Sequence, residues 1–555
     1  MQLHTIWKVA PAPDAAAVAR LVREAGVSDT LARLLAARGM ADPAAVRAML
    51  RADPATLHDP LLLPDMEPAA ARLARAVAAG EKVAIYGDYD VDGQTSVALM
   101  VRELRRLGLD PAWYIPDRQT EGYGLNVDAV DRLAAAGVDL LVTVDCGTQS
   151  VQEVARAREL GMDVIITDHH EPGPVLPEAV AVVNPKRAGS RYPFRDLAGV
   201  GVAYKLLTAL GRALGQRLPA DDGLELVALG TIADVCPLVD ENRILVRLGL
   251  DGMQRRPLLG VAKLAEAAGL DLRRVTATQA AFVLAPRLNA SGRMSHARLG
   301  VELLLCDNEA AARQLAEALD DANRSRQQTE SDILAEAVAQ VEAGGLLAEW
   351  VLVVAAEGWH PGVIGIVAAR LVERYARPAV VVALEGEEGK GSARSIRGFD
   401  LFGALSRCSD LLVRFGGHAM AAGLTVSRAN LAALRARLND IAAALLGPAD
   451  LLPQVQVDLE VALGDVDERF VRELEGLAPF GPGNPTPVLA ARAVRVVGAR
   501  TVGGSGNHLK LSLRCPQTGQ VQEAIGFGGG PLLEAATPGT ELDVAFTPQI
   551  NEGFG

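Results

Sequence analysis

Six aspartates and two adjacent histidines stand where apolar runs of this chain break off, and their grouping points to a pair of metal ions. The run at 83–86 opens into Gly87-Asp88-Tyr89-Asp90-Val91-Asp92-Gly93. Residues 140–144 end in Asp145-Cys146-Gly147, and 164–167 end in Asp168-His169-His170. A fourth run, 226–230, leads to Thr231-Ile232-Ala233-Asp234. Read as four parallel strands, these runs open at their carboxyl ends on one crevice, where open α/β sheets bind ligands. Carboxylates with imidazole suit hard divalent ions, Mn²⁺ or Mg²⁺, better than a thiolate-preferring zinc centre. So much negative charge in one crevice resists joint ionisation. Two ions about 3.5–4 Å apart relieve that repulsion and prepare water for in-line attack on phosphorus. One aspartate after a strand is ordinarily a helix cap or a turn residue. Acid or histidine at all four ends is what favours chemistry.

The elements that must position these residues follow from periodicity. Up to Asp65 the chain is Ala-rich and helical in pattern, a small N-terminal helical cap (1–65). Helix and strand then alternate: helix 69–79, strand 83–86, helix 93–107, a helical stretch 130–136 before the second strand, and helix 151–160 before the third. This alternation predicts an α/β fold with a doubly wound, mostly parallel sheet over 66–309. Residues 310–343 carry apolar positions at helical spacing with almost no breaker before Gly344-Gly345, so 310–345 reads as a long connecting helix. A second, smaller α/β domain follows at 346–450, with strand 350–354, helix 363–375 and strand 379–384. Short strand-like segments between Gly-rich turns, such as Val502-Gly503-Gly504-Ser505-Gly506-Asn507, make 451–555 a small β-barrel of the OB-fold kind, often used on single strands. The sequence ends straight after a strand-like run, which leaves open a barrel or a further domain cut short.

At 555 residues the chain should hold about three or four domains. It is 50% hydrophobic and 22% charged, as ordinary globular proteins are. Its five cysteines form no CxxC pair, which argues against a disulfide framework or structural zinc and fits a reducing cytoplasm. No signal peptide and no membrane-length apolar run are visible, so a cytoplasmic location and no membrane partner are expected. The net charge of −13 gives no support to nucleic-acid binding by the chain as a whole, although a local basic track remains compatible with it.

Several clusters have the chemistry of phosphate binding. Pro286-Arg287-Leu288-Asn289-Ala290-Ser291-Gly292-Arg293 offers two guanidiniums, an amide and a hydroxyl. Ser392-Ala393-Arg394-Ser395-Ile396-Arg397 repeats that chemistry, and Arg414-Phe415-Gly416-Gly417-His418 sets a histidine after a Gly pair. Serine, arginine and free amides near glycine match the needs of a phosphodiester oxygen. Each alone is more often a surface loop. Arg118, in the loop 115–124, reads by itself as a salt-bridged loop residue.

Together these residues resemble the DHH phosphoesterase superfamily, whose name describes Asp168-His169-His170, and within it the RecJ-type single-strand-specific 5′→3′ exonucleases. The resemblance runs from about Asp65 to the C-terminus and includes the four acidic motifs, Ser392-Ala393-Arg394-Ser395, Gly416-Gly417-His418 and Pro479-Phe480-Gly481-Pro482-Gly483-Asn484-Pro485. Many members open the first motif with a histidine; here Asp88 stands in its place. The resemblance implies two ions, Mn²⁺ or Mg²⁺. Asp92, Asp145, His169 and Asp234 would hold one, Asp90 and Asp145 with Asp88 the other, and His170 would face the scissile phosphate. It also implies that Arg287, Asn289 and His418 contact the substrate backbone and that Arg118, Ser392 and Arg394 lie at the 5′-phosphate end. The implied activity is release of 5′-mononucleotides from single-stranded DNA in repair and recombination. Single-strand-binding protein and a DNA helicase are the implied partners. Two other readings compete. A small-substrate DHH phosphoesterase, acting on pyrophosphate, a cyclic dinucleotide or a short oligonucleotide, would need no terminal barrel. A non-catalytic single-strand-binding homologue should have lost acids that are all present here.

Overall fold

In the computed structural model the apolar runs that end in Asp88, Asp145 and Asp168 are neighbouring parallel strands. The structure describes residues 5–550 apart from Gln119, Tyr123, Ser295, His296 and Ser505. Parts of the 115–124 loop, the 502–507 turn and the last five residues therefore lie outside the described residues. The chain divides into two units, one of Leu57–Pro453 and one in which Thr5–Thr56 joins Gln454–Gly555.

In the first unit, five parallel strands stand in the order Ala112–Tyr114, Val83–Gly87, Leu140–Val144, Asp163–Thr167, Ala181–Val183. Period-two alternation sends successive side chains to opposite faces. Val83, Ile85, Val142, Val144 and Ile165 join a core with the helices Met66–Ala79, Val91–Arg106 and Gly199–Leu214. Ala84, Tyr86, Leu141, Val164 and Ile166 join another with Val127–Ala135 and Val151–Glu159. Both faces are covered, so the sheet is doubly wound. The strand order reverses between Val83–Gly87 and Leu140–Val144, which puts the switch-point crevice between Asp88 and Asp145.

The fourth apolar run is a correction. Residues 226–230 lie inside the helix Leu224–Ala233, and Asp234 caps its C-terminal end. This helix is buried on every side, from Glu225 to Ile232, so its sequence lost the amphipathic period that separates a helix from a buried strand. The fifth strand is instead Ala181–Val183, too short to show a pattern.

The connecting helix runs Glu309–Ala343. Ala312, Ala316 and Leu319 belong to the core of the first sheet, whereas Ile333, Ala337 and Val341 belong to that of the second. One continuous helix thus fixes two cores to each other. The second sheet is mixed: Leu352–Glu357 pairs parallel with Ala379–Glu385, and Glu388–Arg394, Ala421–Ser427 and Leu412–His418 follow antiparallel. Arg394, Ala421 and His418 are paired across adjacent strands and so share one end of this sheet.

The second unit corrects the reading of the N-terminal stretch as a cap. Ile6–Val9 forms a strand parallel to Gln454–Val457, and the helices Ala15–Ala25, Asp29–Ala37 and Pro43–Arg51 pack on the C-terminal segment. Leu31, Leu34 and Leu35 share a core with Leu459, Phe470 and Leu474, and Arg38 forms a two-pronged bond to Asp458 at 2.9 and 3.0 Å. Nothing local in residues 5–56 reveals partners some 450 positions away. Beyond them a curled sheet forms around Leu489–Val502, which pairs with Leu459–Glu460, His508–Arg514 and Glu541–Phe546 and shifts register twice. Those irregularities bend the strand, as a small barrel requires. Among the described residues, no helix is long and apolar enough to cross a membrane.

Leu34→Ala should cost about 2–5 kcal/mol, as for other buried leucines. Hydrogen exchange should show lost protection in Leu489–Val502 while Leu140–Val144 keeps its own. Unchanged protection in Leu489–Val502 would show that residues 5–56 are not part of the barrel's core.

Candidate metal centre

Local backbone features place most of the acidic side chains. Asp90 caps the helix Val91–Arg106, accepting from Gly93 N at 3.1 Å, and Asp92 lies in its first turn. Asp92 also caps a second helix: its carboxylate accepts from Gly199 N at 2.6 Å and Val200 N at 2.8 Å, where Gly199–Leu214 has no side-chain cap of its own. Asp145 leaves its strand in a left-handed conformation (φ 61°), which aspartate tolerates better than most residues. Asp234 sits at a helix C-terminus, where the helix dipole disfavours an anion and a nearby cation is needed to offset it.

Asp168 does something else. It accepts from Thr148 N at 2.9 Å, from His169 N at 2.8 Å and from His170 Nδ1 at 2.8 Å, so it fixes the turn that carries both histidines. Asn184 supports the same turn by donating to Thr148 Oγ1 at 3.0 Å and to the His170 carbonyl at 2.9 Å.

These devices bring the side chains together. His169 Nε2 lies 3.1 Å from Asp145 Oδ1, 3.6 Å from Asp234 Oδ2 and 3.9 Å from Asp92 Oδ2. One ligand atom each from Asp88, Asp90 and Asp145 falls within 4.8 Å, and the same holds for Asp145, His169 and His170. Asp88 Oδ1, Asp145 Oδ1 and His169 Nε2 are buried without a hydrogen-bond partner among the described residues. Uncompensated buried polar atoms are costly. Three of them facing one acidic crevice fit divalent cations, and this oxygen-rich donor set with an imidazole fits hard ones.

The charges agree. Burial, then repulsion by Asp90, pushes Asp88 up to about 8. Burial and the surrounding carboxylates also raise Asp90, Asp92 and Asp145. Burial lowers His169. For His170, burial works downward, but the bond to Asp168 and its charge prevail and raise the imidazole to about 8. The same contact, against the effect of burial, holds Asp168 well below the usual carboxylate range.

Glycines that sequence reasoning passed over make the room. A Cβ on Gly199 would stand 2.5 Å from Asp145 Oδ1; on Gly230 it would stand 2.4 Å from Thr95 Oγ1 and 2.8 Å from Asp92 Oδ1. Such close approaches leave no trace in composition.

The residues expected on substrate divide. The Arg118 guanidinium lies over the Tyr89 ring, 4.8 Å from its centre. Half-buried Arg394 donates to Ser392 Oγ at 3.2 Å and to the Ala393 carbonyl, and Gly365, in the first turn of the helix Ile364–Tyr375, packs against both side chains. Arg293, unremarked beyond its cluster, donates to the Gly362 carbonyl at 2.9 Å. Burial, then the like charges of Arg118, Arg326 and Arg394, push it down to about 10, which places these guanidiniums in one neighbourhood. Among the described residues, neither Arg293 nor Arg394 has a carboxylate within bridging distance, whereas Arg326 is paired with Glu330. His418 is exposed at the strand end. Asn289 is half-buried with its amide unbonded among the described residues. Arg287 departs from the expectation: it is bound to buried Asp320 at 2.9 Å and to the Val283 carbonyl at 2.7 Å, which ties Ala285–Met294 to the connecting helix.

Comparison with known proteins finds three family domains along the chain. Residues 82–231 match the DHH family N-terminal domain, 348–444 the DHHA1 domain and 457–555 the RecJ OB domain. The single-stranded-DNA-specific exonuclease RecJ of Bacillus subtilis is 42% identical over 98% of this chain and 69% of its own length. That of Salmonella typhimurium is 37% identical over 87% of each. The crystal structure of Thermus thermophilus RecJ in complex with Mn²⁺ superposes with a TM-score of 0.85 at 33% identity, covering 100% of this chain and 78% of that one. By sequence along nearly its whole length and by fold, this chain belongs to the RecJ family of single-stranded-DNA-specific exonucleases.

Proposed function

We propose that this chain hydrolyses single-stranded DNA from the 5′ end, releasing 5′-mononucleotides, at a centre that takes two Mn²⁺ or Mg²⁺ ions. The observation that carries the proposal is the convergence of Asp88, Asp90, Asp92, Asp145, His169 and Asp234 around buried atoms without partners. Asp92, Asp145, His169 and Asp234 would hold one ion and Asp88, Asp90 and Asp145 the other. When bound, such ions neutralise the carboxylates, polarise a phosphoryl oxygen and make water more acidic.

The chain's own groups do the rest. His170, oriented by Asp168 and cationic near neutral pH, would donate to a non-bridging oxygen of the scissile phosphate as charge gathers there. His418 and Asn289 would bind the backbone. Arg287 is better placed to orient the helix bearing Asn289 than to touch DNA. Arg118, Ser392 and Arg394, with Arg293 added, would hold a terminal 5′-phosphate beside the N-terminus of Ile364–Tyr375, where the helix dipole also favours an anion. On the barrel, exposed Phe527, with His508 edge-on at 5.3 Å, offers a surface on which a base can stack. A role in DNA repair and recombination, a cytoplasmic location, and work beside single-strand-binding protein and a helicase accord with this activity.

Digestion of 5′- and 3′-labelled single strands with Mn²⁺, Mg²⁺ or EDTA tests the reading through product length and polarity. Mononucleotides released only from the 5′ end, and only with metal, are expected. Asp145→Ala should lower the rate by at least roughly 10³-fold while strand binding persists, because it removes the carboxylate common to both ions. Near-normal hydrolysis by this variant at saturating Mn²⁺ would exclude the dinuclear centre. Charge-assisted bonds to phosphate are worth about 1.5–3 kcal/mol each, one to two decades in binding. Arg394→Ala should therefore shrink the ratio of kcat/KM for 5′-phosphorylated over 5′-hydroxyl strands by about tenfold or more. An unchanged ratio would take Arg394 out of the terminal pocket.

A further inference from the structure

Cys236 is the one thiol, among the described residues, grouped with candidate metal ligands. Its Sγ donates to Asp234 Oδ2 at 3.1 Å, and His169 Nε2 lies 3.6 Å from that same oxygen. The three ligand atoms all fall within 4.8 Å of one another. Between Asp234 and Cys236, Val235 adopts a left-handed conformation (φ 60°) and is 66% exposed. For a β-branched residue this is an outlier. The reversal points Val235 outward, while Asp234 and Cys236 turn to the same side, toward His169.

We propose that Cys236, His169 and Asp234 form a site for a thiophilic divalent ion such as Zn²⁺, overlapping one hard-ion position, and that occupation by this ion arrests hydrolysis. The inference rests on the two-ion reading above, to which it adds a different donor set. Four-coordinate zinc, with bonds of about 2.0–2.1 Å to nitrogen or oxygen and about 2.3 Å to sulfur, separates its ligand atoms by about 3.3–3.7 Å. The spacings of 3.1 and 3.6 Å are already close to that, before any ion draws the side chains in. Among the described residues buried His169 Nε2 has no hydrogen-bond partner, and Asp145 Oδ1, 3.1 Å from it, supplies a fourth ligand. As the sulfur–metal bond forms, the thiol proton passes to solvent; nothing is oxidised or reduced. A nitrogen, oxygen and sulfur set binds Zn²⁺ more tightly than Mn²⁺. A trace of the softer ion would therefore displace the harder one from His169 and Asp234 and leave the second carboxylate group without its companion ion.

The test has a spectroscopic arm independent of catalysis. The full chain is loaded with Co²⁺, whose ligation by thiolate produces a sulfur-to-metal charge-transfer band, and is compared with Cys236→Ser and Cys236→Ala. Two variants guard against one that fails to fold. A band in the wild type that both lack is expected. In Mn²⁺-supported digestion, the Zn²⁺ concentration for half-inhibition should rise at least about tenfold in either variant. No band in the wild type, or an equal band in the variants, overturns the site. A band lost with zinc sensitivity unchanged overturns the arrest. A wild-type chain with the cysteine-dependent band but no metal-supported cleavage of DNA sustains the thiolate ligand and instead overturns the exonuclease reading.

Discussion

Mutual repulsion among carboxylates in a nearly dry crevice is the constraint that organises the catalytic unit. Asp88, Asp92 and Asp145 are almost wholly buried, and Asp90 and Asp234 lie against them. Burial and proximity raise Asp88, to about 8, and push Asp90, Asp92 and Asp145 upward too, so the crevice resists full ionisation without cations. A fold that relied on this cluster for stability would be poorly designed. One that holds it open for divalent ions turns the same repulsion into binding free energy.

The scaffold resists the cluster's tendency to spread. Asp92 is clamped by two backbone amides of a helix that has no other cap, so moving the carboxylate would also uncap the helix. Asp145 is closed in by Gly199 on one side, and Asp92 by Gly230 on another. Asp168 stays off the crevice and holds the two histidines toward it. The strand order gives these contacts their place, because its reversal between the first two long strands opens the sheet's edge where Asp88 and Asp145 emerge.

What could be read from sequence depended on whether a residue's environment is local. Acid following an apolar run marked the turns after 83–87, 140–144 and 163–167, since a buried parallel strand must be apolar and its end must face the crevice. The same reasoning mistook 226–230 for a strand, because a helix buried on all sides has no polar face to betray its period. Ala181–Val183 is too brief to show one. Asp168 looked like its neighbours, and only its four hydrogen bonds distinguish a residue that orients ligands from one that offers itself as a ligand. Gly199 and Gly230 matter through a Cβ they lack, and the grouping of Arg293 with Arg394 depends on a helix that joins two domains. Residues 5–56 could be read as helices, but not as part of the barrel's core.

Counting ions bears most directly on the claim that this crevice is built around metal charge. The metal-free chain is titrated with Mn²⁺, and bound and free ion are separated by electron paramagnetic resonance. Two ions per chain are expected, coupled closely enough to quench each other's signal. Saturation at a single uncoupled ion, or no binding above the level of exposed surface carboxylates, would contradict it.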